Sequence, residues 1–251
     1  MKSARQNQIV EMITRNGTVK NPELMEKFGI SIETVRRDLE LLEQKGFLRR
    51  VYGGAVVNMS LRSEPEYASR SKTYFQEKNA IAAAAAKMIC PEDTLYLGVG
   101  TTVQAMVQHM KALGELTVFT NALRTAVELS ELPGCNVILP GGQLRSKELT
   151  LSGFPAEENL VHFNVDKAFI GIGGITEEGV TDFHIGEARL HHQLIKNARQ
   201  AIVLTDSSKL GIRAMNNVCA LQEIDVVITD SKVPKQTVKM LEQAGIQVII
   251  A

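Results

Sequence analysis

Long apolar runs are missing from this chain of 251 residues: no stretch approaches the roughly 18 apolar residues that a membrane-spanning helix needs. The first residues are polar and lack the apolar core of a secretory signal, so a cytoplasmic protein without a membrane partner is expected. Cysteine is scarce. Cys90, Cys135 and Cys219 are far apart, odd in number and without a CxxC pair, which excludes a disulfide framework and a cysteine-rich zinc module and fits a reducing compartment. Net charge is lacking too, because 28 Lys and Arg balance 28 Asp and Glu, so the whole chain points to no charged partner. Internal repeats and low-complexity tracts are absent apart from the alanine run near residue 83, which is simply strong helix former.

What is present is a globular balance, 44% hydrophobic and 22% charged, with material for more than one core. The neutral average conceals a gradient. Lys and Arg exceed Asp and Glu by three over residues 1–57 and by one over 58–75, and fall short by four over 76–251.

Residues 4–15 read as a helix with Ile9, Met12 and Ile13 on one face, stopped by Asn16 and Gly17. In NPELMEKFG, Asn21 is expected to cap a short second helix, with Pro22 at its first position and Gly29 ending it. Ser31 is then an N-cap for a third helix whose apolar face is Ile32, Val35, Leu39 and Leu42. GFLRRVYGGAVV follows as two short strands around a Gly53-Gly54 turn, a hairpin.

The stretch SIETVRRDLELLEQKG admits two interpretations. One is a solvated face laced by Glu33–Arg37 and Arg36–Glu40 pairs at i,i+4 spacing. The other is a DNA-reading helix, and the surroundings favour it: a short helix and tight turn precede, and a basic hairpin follows, the layout of a winged helix-turn-helix. Arg36 and Arg37 lie in its first half, while Asp38, Glu40 and Glu43 crowd the second and repel phosphates, so only the N-terminal half suits a groove. Arg49 and Arg50 are assigned to phosphates, Thr34 and Arg37 to base edges, and Asp38 to orienting an arginine. An excess of three positive charges is small for one module, which implies a homodimer or homotetramer on repeated half-sites of double-stranded operator DNA.

Residues 58–75 are polar, poor in aliphatics and broken by Pro65, and read as a linker. From residue 76 strands alternate with helices, so the second domain is expected to be α/β with a largely parallel sheet. Ligands in such sheets gather at the carboxyl ends of the strands. GVGTT (98–102), TNA (120–122), PGGQLRS (140–146) and DSSK (206–209) each follow a strand there. Gly100, Thr101 and Thr102 suit an anion through backbone N–H groups and hydroxyls, and Lys209 adds a point charge for phosphate. Any one of these is equally an ordinary glycine turn or helix cap, but four at strand ends suggest a site.

SIETVRRDLELLEQKGFLRRVYGGAVV closely resembles the signature of the DeoR family of bacterial sugar-metabolism regulators, with Tyr52 where histidine is more usual, and the resemblance extends over nearly the whole chain. It implies DNA contacts from Ser31, Thr34, Arg36 and Arg37 of the recognition helix and from Arg49, Arg50 and Tyr52 of the wing. It implies an effector domain resembling the ribose-5-phosphate isomerase fold that binds a phosphorylated sugar or related metabolite. Gly100, Thr101, Thr102, Asn121, Gly141, Gly142, the GIGG stretch with Gly171 and Gly173, Asp182, Glu187 and Lys209 would line that pocket. Gly98 departs from the family, which often has aspartate there, and suggests a different effector. The function implied is repression of a carbohydrate-catabolism operon, relieved by the metabolite, with no catalysis and no cofactor.

Two rivals remain open. A tethered sugar-phosphate isomerase needs a general base and a stabilised enediolate, yet Gly171-Ile172-Gly173-Gly174 carries no carboxylate where the isomerases have an acidic loop. A metal-responsive regulator is suggested by His184, Glu187 and His191 at i, i+3 and i+7, but no fourth ligand is evident, and no metal site is assigned.

Overall fold

The computed structural model describes residues 5–251 apart from 7, 11, 14–17, 45–47, 58–63, 65 and 112–113. Asn16, Gly17, Gly46 and, of the expected linker, residues 58–63 and 65 fall outside the described residues. The chain divides into two compact units, Met1–Glu64 and Pro65–Ala251.

In the first unit the chain is helical at 5–6, 8–10 and 12–13. It continues through β1 (Thr18–Lys20), α1 (Asn21–Phe28), α2 (Ile32–Gln44), β2 (Leu48–Val51) and β3 (Gly54–Val57). The helices bury Ile9, Ile13, Leu24, Val35, Leu39 and Leu42 against Val19, Leu48 and Ala55 of the strands. Two expectations are corrected. The wing sheet has three strands in the order β1-β3-β2, because Val19 pairs with Ala55 and adds its side chain to the core. Lys20, not Asn21, precedes the first helical residue in extended conformation, and its backbone N–H donates to the Glu23 carboxylate at 3.4 Å.

The second unit runs α3 (Tyr67–Arg70), α4 (Phe75–Ala86), β4 (Thr94–Leu97), α5 (Thr101–Gln104), β5 (Leu116–Thr120), α6 (Leu123–Ser130), β6 (Cys135–Ile138), β7 (Gln143–Arg145), β8 (Thr150–Ser152) and α7 (Phe154–Leu160). It continues through β9 (Val165–Gly171), β10 (Gly174–Thr176), β11 (Gly179–Asp182), α8 (Ile185–Asn197), β12 (Ala198–Leu204), β13 (Asn216–Cys219), β14 (Val226–Thr229), α9 (Lys235–Gln243) and β15 (Gln247–Ile250). Seven strands form a parallel sheet in the order β15-β14-β12-β9-β4-β5-β6. Successive residues alternate between its faces: Leu95, Phe169, Ile202 and Val226 join α4, α5 and α6 in one core, while Tyr96, Ala168, Val203 and Val227 join α7, α8 and α9 in the other. Burial on both faces explains why these strands read as nearly continuous apolar runs. Residues 67–75, expected in the linker, instead give α3 and the start of α4, because Tyr67 and Arg70 have side-chain partners on this unit. A β7–β8 hairpin and a small antiparallel sheet, β10-β11-β13, complete the unit.

Candidate functional site

In the first unit Ser31 opens α2: its carbonyl accepts the Val35 N–H at 3.0 Å, and its hydroxyl lies 3.1 Å from that of Thr34. The helix turns Val35, Leu39 and Leu42 inward and leaves Arg36 and Arg37 exposed. Among the described residues neither arginine makes an ion pair, so the Glu33–Arg37 and Arg36–Glu40 pairs of the solvated-face interpretation do not form. Asp38 points the other way, 1% exposed, and accepts from Arg5 Nε at 2.7 Å and Gln6 Nε2 at 3.0 Å. The arginine it orients therefore belongs to the N-terminal helical segment.

Arg49 and Arg50 are exposed on β2, and Tyr52 stands fully exposed in the β2–β3 turn beside Gly53, whose φ of +84° favours glycine. Arg50 differs from the sequence expectation. Glu43, near the end of α2, accepts its backbone N–H at 2.8 Å and its Nε at 2.7 Å, so this guanidinium already has an anionic partner. Those bonds hold the Glu43 carboxyl below its ordinary range.

In the second unit the sheet changes direction between β4 and β9: β5 and β6 extend from one side, β12, β14 and β15 from the other. Crevices outside the carboxyl ends of strands at such a switch point are where ligands bind. Gly98 to Thr102 leave β4 and Gly171 to Gly174 leave β9 at that place. The two segments touch through their backbones, since a Cβ on Gly171 would sit 2.4 Å from the Val99 oxygen and 3.2 Å from Gly100 Cα. Gly100 leads into α5 with φ of +146°, leaving first-turn N–H groups of Thr101 and Thr102 without helical acceptors. Gly173 packs on Asp182 and Phe183.

Several expected pocket residues prove to be engaged inside the protein. Asn121 is fully buried, accepting from the Tyr96 hydroxyl at 2.6 Å and donating to the Leu151 carbonyl at 3.0 Å. Glu187, 1% exposed, accepts from Thr150 Oγ1 at 2.7 Å and Arg145 Nη1 at 3.0 Å. Asp182 accepts the Phe183 N–H at 2.6 Å and faces His191 Nδ1 at 3.7 Å. Burial, reinforced by Glu187 and Asp182, keeps the Tyr96 phenol well above its ordinary pKa, so it stays a hydrogen-bond donor. Gly142 packs against the Ser152 oxygen and Ala156, bracing the β7–β8 hairpin on α7, and Gly141 adjoins Asn159. A separate groove of about 660 Å³, lined by Phe154, Glu157, Val161, His192 and Val218, holds none of the expected pocket residues.

The cations come from three elements. Lys209 lies in a 3-10 turn after β12 capped by Asp206, which accepts the Ser208 N–H at 3.0 Å; the Lys209 ammonium is 5.7 Å from the Phe183 ring centroid. Lys78 of α4 is 7% exposed and donates to the Arg70 carbonyl at 2.5 Å. Burial lowers its pKa to about 8, with Lys209 and Arg70 adding to the effect and Asp206 opposing it. Lys78 and Arg70 were missed in the sequence: one hides in an alanine-rich helix, the other in the supposed linker. A signal for Lys78 does exist, since it stands at i to the buried Ile81, Ala82 and Ala85 at i+3, i+4 and i+7.

Both units match parts of one family. Residues 5–61 match the DeoR-like helix-turn-helix domain, and residues 74–231 match the DeoR C-terminal sensor domain. The chain belongs to the DeoR family. Its DeoR-family relatives include the HTH-type transcriptional regulator GolR of Listeria innocua, 34% identical and covering 98% of each chain. The glycerol-3-phosphate regulon repressor of Escherichia coli is 32% identical over 97% of this chain and 96% of that one. A ribose 5-phosphate isomerase from Plasmodium falciparum aligns with 53% of this chain and 52% of its own at 18% identity and a TM-score of 0.39.

This DeoR-family chain is a transcriptional regulator with a DNA-binding domain in front of a sensor domain, and not an enzyme. The three candidate metal ligands have different surroundings. His184 precedes the first residue of α8 in extended conformation, Glu187 is tied to Thr150 and Arg145, and His191 faces Asp182. Among the described residues no three His, Cys, Asp or Glu side chains converge on a point that would hold a metal. Among them, too, no helix is long and apolar enough to cross a membrane.

Proposed function

We propose that this regulator represses a carbohydrate-catabolism operon from the cytoplasm as a homodimer or homotetramer, and that a phosphorylated sugar bound at the switch point between β4 and β9 releases it from operator DNA. Ser31, Thr34, Arg36 and Arg37 enter the major groove, with Thr34 and Arg37 meeting base edges and Arg49 and Tyr52 of the wing contacting the backbone beside it. Arg50 joins them when it leaves Glu43.

One observation carries the sensor reading: the buried Lys78 ammonium, close to Lys209 at the carboxyl end of β12, donates a single hydrogen bond to a neutral carbonyl. A buried ammonium with one carbonyl acceptor has donors to spare, and although Asp206 offsets part of the charge of Lys78 and Lys209, a phosphate supplies the further acceptors. Gly100, Thr101 and Thr102 offer backbone N–H groups from the facing loop, and Gly171 and Gly173 keep side chains out of the crevice. Asp182 suits a sugar hydroxyl. Asn121, Glu187, Gly141 and Gly142 shape the wall behind them. The printed name of the Escherichia coli relative, a glycerol-3-phosphate regulon repressor, accords with a small phosphorylated polyol as the class of ligand.

The test is thermal-shift screening of the full chain against phosphorylated sugars and their unphosphorylated parents. A phosphorylated compound is expected to raise Tm, as a ligand of the folded state does, while its parent leaves Tm unchanged. Equal response to both would refute the anion site.

A further inference from the structure

The segment between residues 66 and 78 is held to the sensor unit almost wholly by side chains. Helix α3 has only four residues, too short to persist by itself. Its Tyr67 hydroxyl donates to Gln104, and the Tyr67 ring lies 4.4 Å beneath the Arg124 guanidinium. Arg70 is gripped at both ends. Its guanidinium pairs with Glu148, both side chains being largely buried, and its carbonyl accepts from Lys78 Nζ at 2.5 Å.

These two bonds reach different elements of the sensor unit. Glu148 sits in the β7–β8 connection, whose Arg145 and Thr150 hold Glu187. Lys78 stands with Lys209 and Asp206. Strain is stored beside each: Tyr74, before α4, and Leu149, after Glu148, are non-glycine residues in the left-handed region, with φ of 56° and 55°.

We propose that residues 66–78 are a ligand-released strap and that Arg70 is its catch. This rests on the reading of the switch-point crevice as an anion site. An anion between Lys78 and Lys209 gives the ammonium a stronger acceptor than the Arg70 carbonyl, and it offers the Arg70 guanidinium an alternative to Glu148. With both bonds redirected, Arg70 swings from Glu148 to the anion and draws α3 away from the Gln104 and Arg124 that hold Tyr67, so that the short helix frays. Because α3 is the first described helix after residue 64, where the first unit ends, the change is delivered to the chain that leads to the DNA-binding unit. The ligand must favour the released arrangement over the held one, and the two acceptor exchanges supply that difference.

The experiment is hydrogen exchange on the full chain, with inorganic phosphate as probe and sodium chloride at equal ionic strength as control. Phosphate is expected to slow exchange at residues 206–209 and to speed it at least tenfold at residues 69–73. Glu148→Gln is expected to speed residues 69–73 by a similar factor without ligand, and phosphate should then add little. Protection at 206–209 with no change at 69–73 would overturn the strap and leave the sensor site standing. No protection at 206–209 would overturn the anion site and the strap together. Arg70→Lys, which keeps the charge and the carbonyl, is expected to retain part of the phosphate response; a full response in Arg70→Ala would also overturn the proposal.

Discussion

Gly171 and Gly100 meet backbone to backbone at the switch point, with 3.2 Å between the place of a Gly171 Cβ and Gly100 Cα. The loops leaving β4 and β9 can approach this closely only because neither carries a side chain there. Gly171→Ala forces them apart and is expected to cost about 1–3 kcal/mol, as overpacking does. Thermal denaturation with and without a phosphorylated sugar checks this: Tm should fall and the ligand-induced rise should vanish. An unchanged ligand response would show that the loops are not part of the site.

Lys78 gives the sensor a pH dependence. Its folded-state pKa, lowered to about 8 by burial, lies below its ordinary 10.5, so Lys78 costs stability below pH 8 and that cost is relieved as pH rises from 8 toward 10.5. An anion favours the charged form, so ligand affinity has the opposite trend. It should be steady from about pH 7 to the free-protein pKa near 8 and decline above it by up to tenfold per pH unit. Isothermal titration at several pH values reads this, and Lys78→Met should remove the decline along with most of the affinity.

Asp38 and Arg37 are neighbours in sequence with separable roles. Asp38→Ala strands Arg5 and Gln6 and is expected to destabilise the first unit by about 3 kcal/mol, somewhat reduced by the partial exposure of Arg5. Arg37→Ala removes an exposed side chain and should leave stability within about 0.5 kcal/mol of wild type while weakening operator binding by roughly tenfold or more. Equal loss of stability in both variants would contradict the assignment.

Glu43 restrains Arg50, and Glu43→Gln is expected to tighten DNA binding. It removes the anion that engages the wing arginine and releases its guanidinium, so the salt dependence of log K should steepen by about one unit. An unaltered slope would mean that Arg50 stays away from phosphate.

Much of this was legible in the sequence. The turn between the helices, the capping by Ser31 and the outward Arg36 and Arg37 follow from local pattern, which periodicity reports well. The parallel sheet showed itself through apolar runs buried on both faces. What stayed hidden depends on pairing across the chain. Nothing near Glu43 says that it faces Arg50, and nothing near Lys78 says that Arg70 and Lys209 stand beside it. Asn121 and Glu187 carry polar groups that fit a pocket by type, and nothing near them in sequence says that Tyr96, Leu151, Thr150 and Arg145 are their hydrogen-bond partners. Position 98 is a further instance. A Cβ there would lie 3.0 Å from His191 Nε2 and 3.2 Å from the Tyr96 ring, so glycine and His191 share one space that sequence alone treats as two sites.

The central claim is that one chain couples a DNA grip to a bound metabolite. The direct measurement is fluorescence anisotropy of the full chain on a labelled duplex from the promoter beside its gene, at low and moderate salt, with and without phosphorylated sugars. Tight, salt-sensitive binding that one phosphorylated sugar reverses, and its unphosphorylated parent does not, is the predicted result. A protein that ignores the duplex at low ionic strength whatever is added would contradict the account.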